Sequence, residues 1–385
     1  MEGTKKKNKS FLKTIGMFVG VVFLLWIFNV ITNDIFVTPR NLTMLLKQSS
    51  VLMILASSLM MLLISKNIDL SGGAGVYLCC CVVALLIVNA GWSLYAAIPL
   101  CLVLGMFMGA LNGFFIGFVG LPAFIVTLAF QQMFRGIGYV LTNAATIGPM
   151  PKAFNQISEA YIPPTASVII VCVLYAVLLL TNISSYKKLG AWYGGIEKLV
   201  TNLVISTAVC GALVWVFSGF RGIPMAVVVA FVVAVAMYIV SSKTVYGRHI
   251  YLIGGNMEAA RLAGVRTDVR IFQSYVIEGL MYGIAGVVLT ARLGGAANTA
   301  GTGLELDAVA AACIGGTSMS GGVGSILGLG VGAVLLTMID NVMSLMNVSS
   351  FLQMVAKGVI LLAAVCLDLV MNKAKFRFKL VNKKK

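Results

Sequence analysis

The chain has 385 residues, of which 60% are hydrophobic and only 10% are charged, and its mean hydropathy is +1.00. A soluble core of this size cannot hide so much apolar surface, so the composition excludes a soluble enzyme. A lipid bilayer can accommodate it, because a spanning helix needs roughly 20 predominantly apolar residues and satisfies its backbone polar groups internally. The sequence therefore predicts an integral membrane protein.

Apolar runs recur along the whole chain and predict an all-α, polytopic membrane helical bundle of about 10 to 12 transmembrane helices. Residues 1–385 are interpreted as a single transmembrane domain. Two of the runs, 49–64 and 305–320, are short, and we expect broken or short helices near 65–75 and 305–322. In chain order the predicted spans are 11–32, 49–64, 74–90, 93–118, 121–141, 165–181, 196–218, 224–242, 271–291, 305–320, 323–346 and 351–371.

Most of the 28 basic residues are predicted to lie on one side of the membrane. Lys66, Lys243 and Arg248 fall in loops on the same side as both basic chain ends, whereas Arg135 and Lys357 fall on or near the other side. Cytoplasmic loops retain an excess of Lys and Arg, so the pattern predicts an even number of spans with both termini in the cytoplasm. The basic clusters flank spans and lack interleaved aromatic residues, so no nucleic acid is expected as a partner.

The sequence lacks the common signatures of catalysis and metal binding. It contains no GxxxxGK[ST] phosphate loop and no HExxH motif. The eight cysteines form no CxxC pair, and His249 is the single histidine. We therefore expect no metal, no cofactor and no enzymatic activity of the chain itself.

Acidic residues inside or at the edge of predicted spans cost free energy and are functional candidates by default. For Glu305 and Asp307 the alternative is a capping role at the water interface. Glu278 and Asp340 lie deeper in their spans. A role in the bundle interior and a role along a polar path both stay open for these two residues.

Glycines at every fourth position predict two faces of close helix contact. One face comprises Gly105, Gly109 and Gly113, and the other comprises Gly324, Gly328 and Gly332. Close packing is the expected role of both.

Two glycine-rich stretches interrupt apolar segments with polar backbone. The run Gly315–Gly322 follows a short hydrophobic segment, and Ile68–Gly75 echoes Thr317–Gly324, which hints at an internal duplication. Irregular backbone at membrane depth is tolerated where it is buried in protein or lines a water-filled cavity. In the first stretch, capping of the following helix is the alternative role. The resulting candidates for a polar path are Asp69, Ser71, Thr317 and Ser318.

The longest polar connection on the predicted inner side comprises residues 243–270. Within it, Asn256 can cap a short helix, Glu258 lies in its first turn, where the helix dipole favours an anion, and Gly264 can end it. A two-turn helix outside the membrane has little reason to be stable by itself. We expect it to dock on a partner.

The segment Asn256–Gly264 resembles the EAA-type cytoplasmic motif of ATP-binding cassette importer permeases. An ordered series of further segments is similar to the ribose/xylose/galactose branch of that family and covers most of the chain. Two features depart from the branch. Region 165–223 is extra, as in the longer xylose-type and multiple-monosaccharide permeases, and Gly73 and Glu278 stand where small apolar residues are expected. The matching segments are Ile68–Ser71, Leu121–Leu128, Tyr246–Arg248, Leu304–Ala310, Ile314–Ser318 and Lys357–Gly358.

The resemblance implies a permease subunit that translocates a monosaccharide of the xylose, ribose or galactose type across the bacterial cytoplasmic membrane. An extracytoplasmic sugar-binding protein would deliver the sugar, two copies of the permease would form the path as a homodimer, and separate cytoplasmic ATPase subunits would drive it. The proline-rich outer loop 142–164 suits docking of the delivering protein, with a plain connector as the alternative.

Candidate residues for these contacts lie in the cytoplasmic loop and on one span. Contact with the ATPase is expected from Asn256, Glu258, Ala259, Ala260, Arg261 and Gly264 in the cytoplasmic loop. On the span after Pro122, an aromatic ring beside polar groups suits the apolar face and the hydroxyls of a sugar, and core packing is the alternative for the ring. The path residues on that span are Phe124, Thr127 and Gln131.

Two other classes of function stay open. A proton-coupled secondary carrier would need no ATPase and would favour deep acidic or histidine relays, for which Glu278 and Asp340 are the only hints. A membrane-embedded transferase would need a catalytic constellation at one surface, and the sequence contains none. Within the importer class, a nucleoside or another small polar solute is the alternative to a sugar.

Overall fold

The computed structural model describes residues 23–189 and 195–382, and this part of the chain is predominantly helical. Two of the helices, α3 and α4, end in a π-helical turn, at Leu85–Asn89 and Phe114–Phe118. In chain order the elements are α1 over residues 23–31, α2 (Pro39–Ile64), α3 (Gly72–Ala84), α4 (Leu94–Gly113), α5 (Ala123–Thr142), α6 (Lys152–Glu159), β1 (Tyr161–Ile162), α7 (Pro164–Leu189), α8 (Gly195–Gly219), β2 (Ile223–Pro224), α9 (Met225–Lys243), α10 (Val245–Gly255), α11 (Met257–Leu262), α12 (Thr267–Leu293), α13 (Leu304–Ile314), α14 (Ile326–Leu345) and α15 (Ser350–Asn382).

Nine helices of the described residues are long and apolar enough to cross a membrane. They comprise α2, α3 and α4 with their π-helical turns, α5, α7, α8, α9, α12 and α14. The first part of α15, Ser350–Cys366, is apolar but shorter. Most of the predicted first span, 11–32, lies outside the described residues. These helices confirm the prediction of a polytopic helical membrane bundle.

Two observed helices differ from the predicted spans. Helix α2 begins at Pro39 and not near residue 49, because the polar Lys47 does not end the helix. Its ammonium is buried in an ion pair with Glu159 of α6. The predicted span 305–320 is the short helix α13, which stops at Ile314 and is followed by Gly316 at a φ of +86°. The expected interruptions near 65–75 and 305–322 are both present.

The described chain divides into two compact units. The smaller unit contains residues 23–45, 161–189, 195–224 and 341–348, and the larger one contains residues 46–160, 225–340 and 349–382. The extra region 165–223 therefore belongs to the smaller unit. There it forms the packed helix pair α7 and α8, whose connection to the rest passes through the antiparallel strands β1 and β2.

Within the smaller unit, side-chain amides and hydroxyls fasten chain segments that are distant in sequence. Asn41 and Asn341 exchange two amide hydrogen bonds, with N to O distances of 2.8 and 3.0 Å. The Ser167 hydroxyl accepts a hydrogen bond from the Ile223 backbone N–H at 3.0 Å and donates one to the Ile162 carbonyl at 2.9 Å. These contacts fix the start of α7 against the strand pair.

In the larger unit, the predicted glycine faces are sites of backbone contact. A Cβ on Gly105 or Gly109 of α4 would collide with the backbone of Gly279 in α12, so the two helices touch without side chains between them. A Cβ on Gly332 of α14 would likewise collide with the carbonyl of Ala311 in α13. Such close approach suits helices that pack in lipid by van der Waals contact. The predicted packing role is confirmed for the first face and for Gly328 and Gly332 of the second, whereas Gly324 lies before the start of α14 and faces the Ile64 side chain.

Candidate functional site

The break between α2 and α3 carries a closed polar cluster. Asp69 and Ser71 have no exposed surface. The Ser71 backbone N–H and hydroxyl donate to Asp69 Oδ1 at 2.7 and 2.6 Å, and the Tyr282 hydroxyl donates to Asp69 Oδ2. Asn112 donates its amide to the Ser71 hydroxyl oxygen at 2.8 Å. The cluster thus joins the break to α4 and α12 and satisfies both carboxylate oxygens.

Ser71 directly precedes α3, but its side chain makes no capping hydrogen bond to that helix, and Asp69 binds the N–H of Ser71 itself. The alternative capping role is therefore not seen in this geometry. Within one copy of the chain neither residue has accessible surface, so their part in a polar path stays a prediction. Sequence reasoning missed Asn112 and Tyr282. The signal for Asn112 was present, because a single amide in an otherwise apolar helix needs a buried partner.

Glu278 lies one helical turn before Tyr282 on α12 and is fully buried. Neither of its carboxyl oxygens has a hydrogen-bond partner among the described residues. It therefore lies in the bundle interior, which was one of the two roles left open for it. The structure gives it no direct link to the Asp69 cluster through hydrogen bonds.

A second polar group forms around Glu305 in the first turn of α13. Glu305 is buried, and its Oε1 accepts a hydrogen bond from the Gln131 side chain at 3.0 Å. A Cβ on Gly73 would collide with the Glu305 carboxylate and the Gly301 carbonyl, so glycine at this position permits the close approach of α3 to α13. Glu305 Oε2 has no partner within the described part of the chain. Glu305 is thus a buried contact residue and not an exposed cap.

The arginine one turn after Gln131 secures the same region. Arg135 donates from its guanidinium to the Ala300 carbonyl at 2.9 Å and lies over the Tyr77 ring, 4.6 Å from the ring centre. A guanidinium over an aromatic face is held by the ring quadrupole. Residues 131–135 of α5 therefore clamp the loop that leads into α13.

The three candidate path residues of α5 have different environments. Phe124 is 57% exposed, whereas Thr127 is fully buried and donates its hydroxyl to the Ala123 carbonyl of its own helix at 2.9 Å. Gln131 reaches Glu305, as described. Within one copy of the chain these side chains do not form a common accessible surface, and their role in a path stays a prediction.

The candidate residues after α13 lie in a buried turn. Thr317 and Ser318 are 1% and 5% exposed. Ser318 donates its backbone N–H to the Val323 carbonyl at 3.0 Å, and the Gly322 N–H donates to the carbonyl of Ile64 at 2.8 Å. The turn is therefore closed against the last residue of α2.

The polar connection 243–270 contains two short helices, α10 and α11. The Asn256 side chain accepts a hydrogen bond from the Ala259 N–H at 3.0 Å, and Gly264 has a φ of +81°, so the predicted cap and the predicted turn are confirmed. Ala260 is buried and Ala259 is exposed.

The outer face of α11 is exposed and carries both charge and apolar surface. Glu258 and Arg261 form an exposed pair at 3.5 Å, and Leu262 is 89% exposed. The exposed side chains of α11 thus form a small surface without a covering element among the described residues.

Helix α10 connects this surface to both interrupted segments. A Cβ on Gly254 would collide with the Ile64 carbonyl at the end of α2 and would lie against the Gly322 N–H. The Tyr251 hydroxyl donates to the Gly324 carbonyl at 2.9 Å. The end of α10 therefore touches the residues that lead into the Asp69 cluster and those that contain the Thr317 turn.

Tyr246 attaches the start of α10 to α12. Its hydroxyl lies 2.7 Å from the Ser274 hydroxyl, and burial raises the pKa of the phenol to about 12. This contact between the two hydroxyls joins α10 to α12. Among the described residues, no group of three or more His, Cys, Asp or Glu side chains could hold a metal ion.

Comparison with known proteins places these features in a family. A profile of the family described as branched-chain amino acid transport system / permease component matches residues 41–365. The chain is 37% identical over 378 residues to the xylose transport system permease protein of Escherichia coli (strain K12), which covers 95% of this chain and 93% of the relative.

Two further Escherichia coli (strain K12) proteins are similar over nearly the whole chain. Identity to the ribose import permease protein is 30% over 371 residues, covering 96% of this chain and 97% of the relative. Identity to the D-allose transport system permease protein is 28% over 375 residues, covering 97% of each. No solved structure shows a significant match.

Proposed function

Since the chain belongs to the family of permease components of branched-chain amino acid transport systems, we propose that it is the membrane-spanning subunit of an ATP-binding cassette importer for a monosaccharide. The observation that carries this proposal is the 37% identity to a xylose permease along 95% of the chain. The relatives named above carry sugars in their names, although the family description names amino acids. Xylose is therefore the first candidate substrate, with ribose and allose next.

The proposed subunit works with partners. A separate cytoplasmic ATPase supplies the energy, an extracytoplasmic binding protein delivers the sugar, and two copies of the chain form the path in the bacterial cytoplasmic membrane. Both termini lie in the cytoplasm. The exposed face of α11 supports the contact with an ATPase, because a two-turn helix with an 89% exposed leucine has a surface to cover.

Glu258, Ala259 and Arg261 on that face are the proposed contacts to the ATPase. Asn256 and Gly264 hold the helix ends, and the buried Ala260 seats the helix on the permease. A displacement of α11 is passed through Gly254 to Ile64 and Gly322, because backbone contacts there leave no side chain to absorb it. A single displacement of α11 then shifts both interrupted segments together with the candidate path residues that they contain.

The experiment is uptake into vesicles. The permease is reconstituted with its ATPase and loaded binding protein, and radiolabelled xylose accumulation is measured with ATP and without it. We expect ATP-dependent accumulation of xylose and none of leucine. Accumulation of leucine instead would support the amino acid function that the family description carries.

A proton-coupled carrier is the second candidate, and the buried Glu278 without hydrogen bonds is the observation in its favour. It predicts xylose uptake by the permease alone when a pH gradient is imposed across the vesicle. Uptake that needs the ATPase and is insensitive to an uncoupler supports the importer.

A further inference from the structure

A polar cavity of about 340 Å³ lies in the larger unit between α2, α12, α13, α14 and α15. Its size falls at the lower end of the roughly 300–1,000 Å³ that is typical of small-molecule pockets. Leucines and alanines form much of the wall, and charged side chains from four different helices reach it. The polar lining includes Gln48, Arg292, Thr302, Asp307, Asp340 and Lys357.

The cavity lies toward the opposite end of the bundle from α10. Its lining uses Gln48 of α2, sixteen residues before Ile64, which is about 24 Å along a helix at a rise of 1.5 Å per residue. On α14 it uses Thr337 and Asp340, near the end of the helix that starts at Ile326. With the proposed orientation this is the extracytoplasmic end, where a binding protein releases its solute.

Three of the lining residues form an ion cluster. The Lys357 ammonium of α15 lies 2.7 Å from Asp307 Oδ2 of α13 and 2.9 Å from Asp340 Oδ2 of α14. The three side chains are partly buried, with exposed fractions of 29%, 18% and 14%. One ammonium thus serves two carboxylates, and each acid leaves an oxygen that Lys357 does not bind.

Asp340 has one carboxylate oxygen that Lys357 does not bind. Asp340 Oδ1 is buried and has no hydrogen-bond partner among the described residues. A buried carboxylate oxygen without a donor is unfavourable, and a ligand hydroxyl would satisfy it. Asp340 therefore keeps one oxygen that can accept a hydrogen bond from a ligand hydroxyl.

The charges of the lining select the class of ligand. Two carboxylates and two basic side chains balance, so the cavity gives no net attraction to an anion or a cation. A neutral molecule with several hydroxyls suits it, because hydroxyls both donate to carboxylates and accept from a guanidinium or an ammonium. The apolar wall residues suit the C–H face of a sugar ring.

We propose that this cavity is a binding site for a monosaccharide in the permease itself, at which a sugar released by the binding protein is held with its hydroxyls on Asp340, Asp307 and Arg292. The inference rests on the proposed import of a sugar and adds the place where the membrane subunit first holds it. The sugar hydroxyls bind carboxylate oxygens that Lys357 leaves free, so the contacts of Lys357 to Asp307 and Asp340 can be kept.

The test is protection of an introduced cysteine. The exposed Cys172 and Cys366 are first replaced by Ser, and Thr302→Cys, on the cavity wall, is labelled with a small water-soluble thiol reagent in vesicles that hold the complete transporter. We expect xylose to slow labelling severalfold and leucine to leave it unchanged. The control is Asn298→Cys, which is exposed in the same loop but does not line the cavity. Its labelling should not respond to xylose.

The outcomes separate the two proposals. If the Thr302→Cys transporter imports xylose but xylose does not slow its labelling, the cavity proposal is wrong and the import function stands. Protection by leucine and not by xylose would overturn the sugar class of the ligand. If xylose protects Thr302→Cys, adding Asp340→Asn to that variant should weaken the protection, and unchanged protection would remove Asp340 from the site. Failure of every sugar to be imported would remove the proposed function.

Discussion

The carbonyl oxygen of Ile64, at the last residue of α2, occupies the space that a Cβ on Gly254 would need. Gly254 lies two residues before Asn256, the cap of α11, so the proposed ATPase contact and the first interrupted segment are joined by backbone alone. This contact is where a small change of side chain should have a large effect.

Gly254→Ala should abolish xylose uptake. The added methyl group meets the backbone of Ile64, which cannot move aside as a flexible side chain can, and such overpacking costs typically about 1–3 kcal/mol. Uptake and binding-protein-stimulated ATPase activity in vesicles are the measurements. Gly255→Ala is the matched control, because a Cβ there meets no atom within 4 Å. Equal uptake by both variants would contradict the coupling route.

Gly264→Val should uncouple ATP hydrolysis from uptake while the permease is still inserted in the membrane. The φ of +81° is strained for a β-branched residue by about 1–3 kcal/mol, and no neighbouring atom lies close enough to add a clash. The turn after α11 then changes its path. Gly264→Asn should keep most of the uptake, since Asn tolerates positive φ. Normal transport by the Val variant would show that the loop is only a linker and does not couple ATP hydrolysis to uptake.

Gly109→Ala should lower the thermal unfolding temperature of the purified protein in detergent. A Cβ at this position collides with the Tyr275 carbonyl and the Gly279 backbone, so α4 and α12 must separate, at a cost of about 1–3 kcal/mol. Gly136→Ala on α5 serves as the comparison, because a Cβ there has open space. A fall in Tm of the same size for both variants would show that the backbone contact between α4 and α12 does not account for the loss of stability.

Glu278→Gln should leave ATP-driven uptake close to the wild-type rate. Among the described residues no basic side chain forms an ion pair with Glu278, and the nearby Ser58 hydroxyl can interact with an amide as well as with a carboxyl, so the substitution removes no ionic contact. Initial uptake rates with and without an uncoupler are the measurement. Loss of uptake in this variant, together with sensitivity of the wild type to the uncoupler, would favour the proton-coupled carrier.

The orientation can be checked by accessibility. Cysteines introduced at Lys7 and Lys384, which lie outside the described residues, should react only with reagents that reach the cytoplasmic side. A cysteine at Ala153, exposed in α6, should react from outside. Cys-free protein is the background control. Labelling of either chain end from outside would reverse or remove the proposed topology.

The spans, the cap at Asn256 and the turn at Gly264 could all be predicted from the sequence. Each depends on residues close together in the chain: apolar length, a side chain that reaches an N–H three residues on, and a backbone angle that glycine permits. The hydrogen bonds of Asn256 and the φ of Gly264 match these local rules.

The partners of the polar residues could not be predicted in the same way. Tyr282 binds Asp69 and Gln131 binds Glu305 across more than 170 positions, and only the packing of whole helices brings them together. The start of α2 was misplaced for the same reason, because the ion pair that buries Lys47 is supplied by α6. Gly73 departs from the family pattern for a reason of the same kind, because a Cβ at this position would collide with the distant Glu305 carboxylate.

The glycine contact between α4 and α12 has a mechanical consequence. Where two helices touch backbone to backbone, no side-chain rotation is available to let one slide past the other, so the pair is expected to move as one rigid unit. Four residues separate the end of α11 from the start of α12. In the proposed importer, a tilt that α11 imposes on α12 is therefore expected to tilt α4 as well. Under that proposal α4 takes part in the coupling, although its own sequence is only a small-residue face in an apolar span.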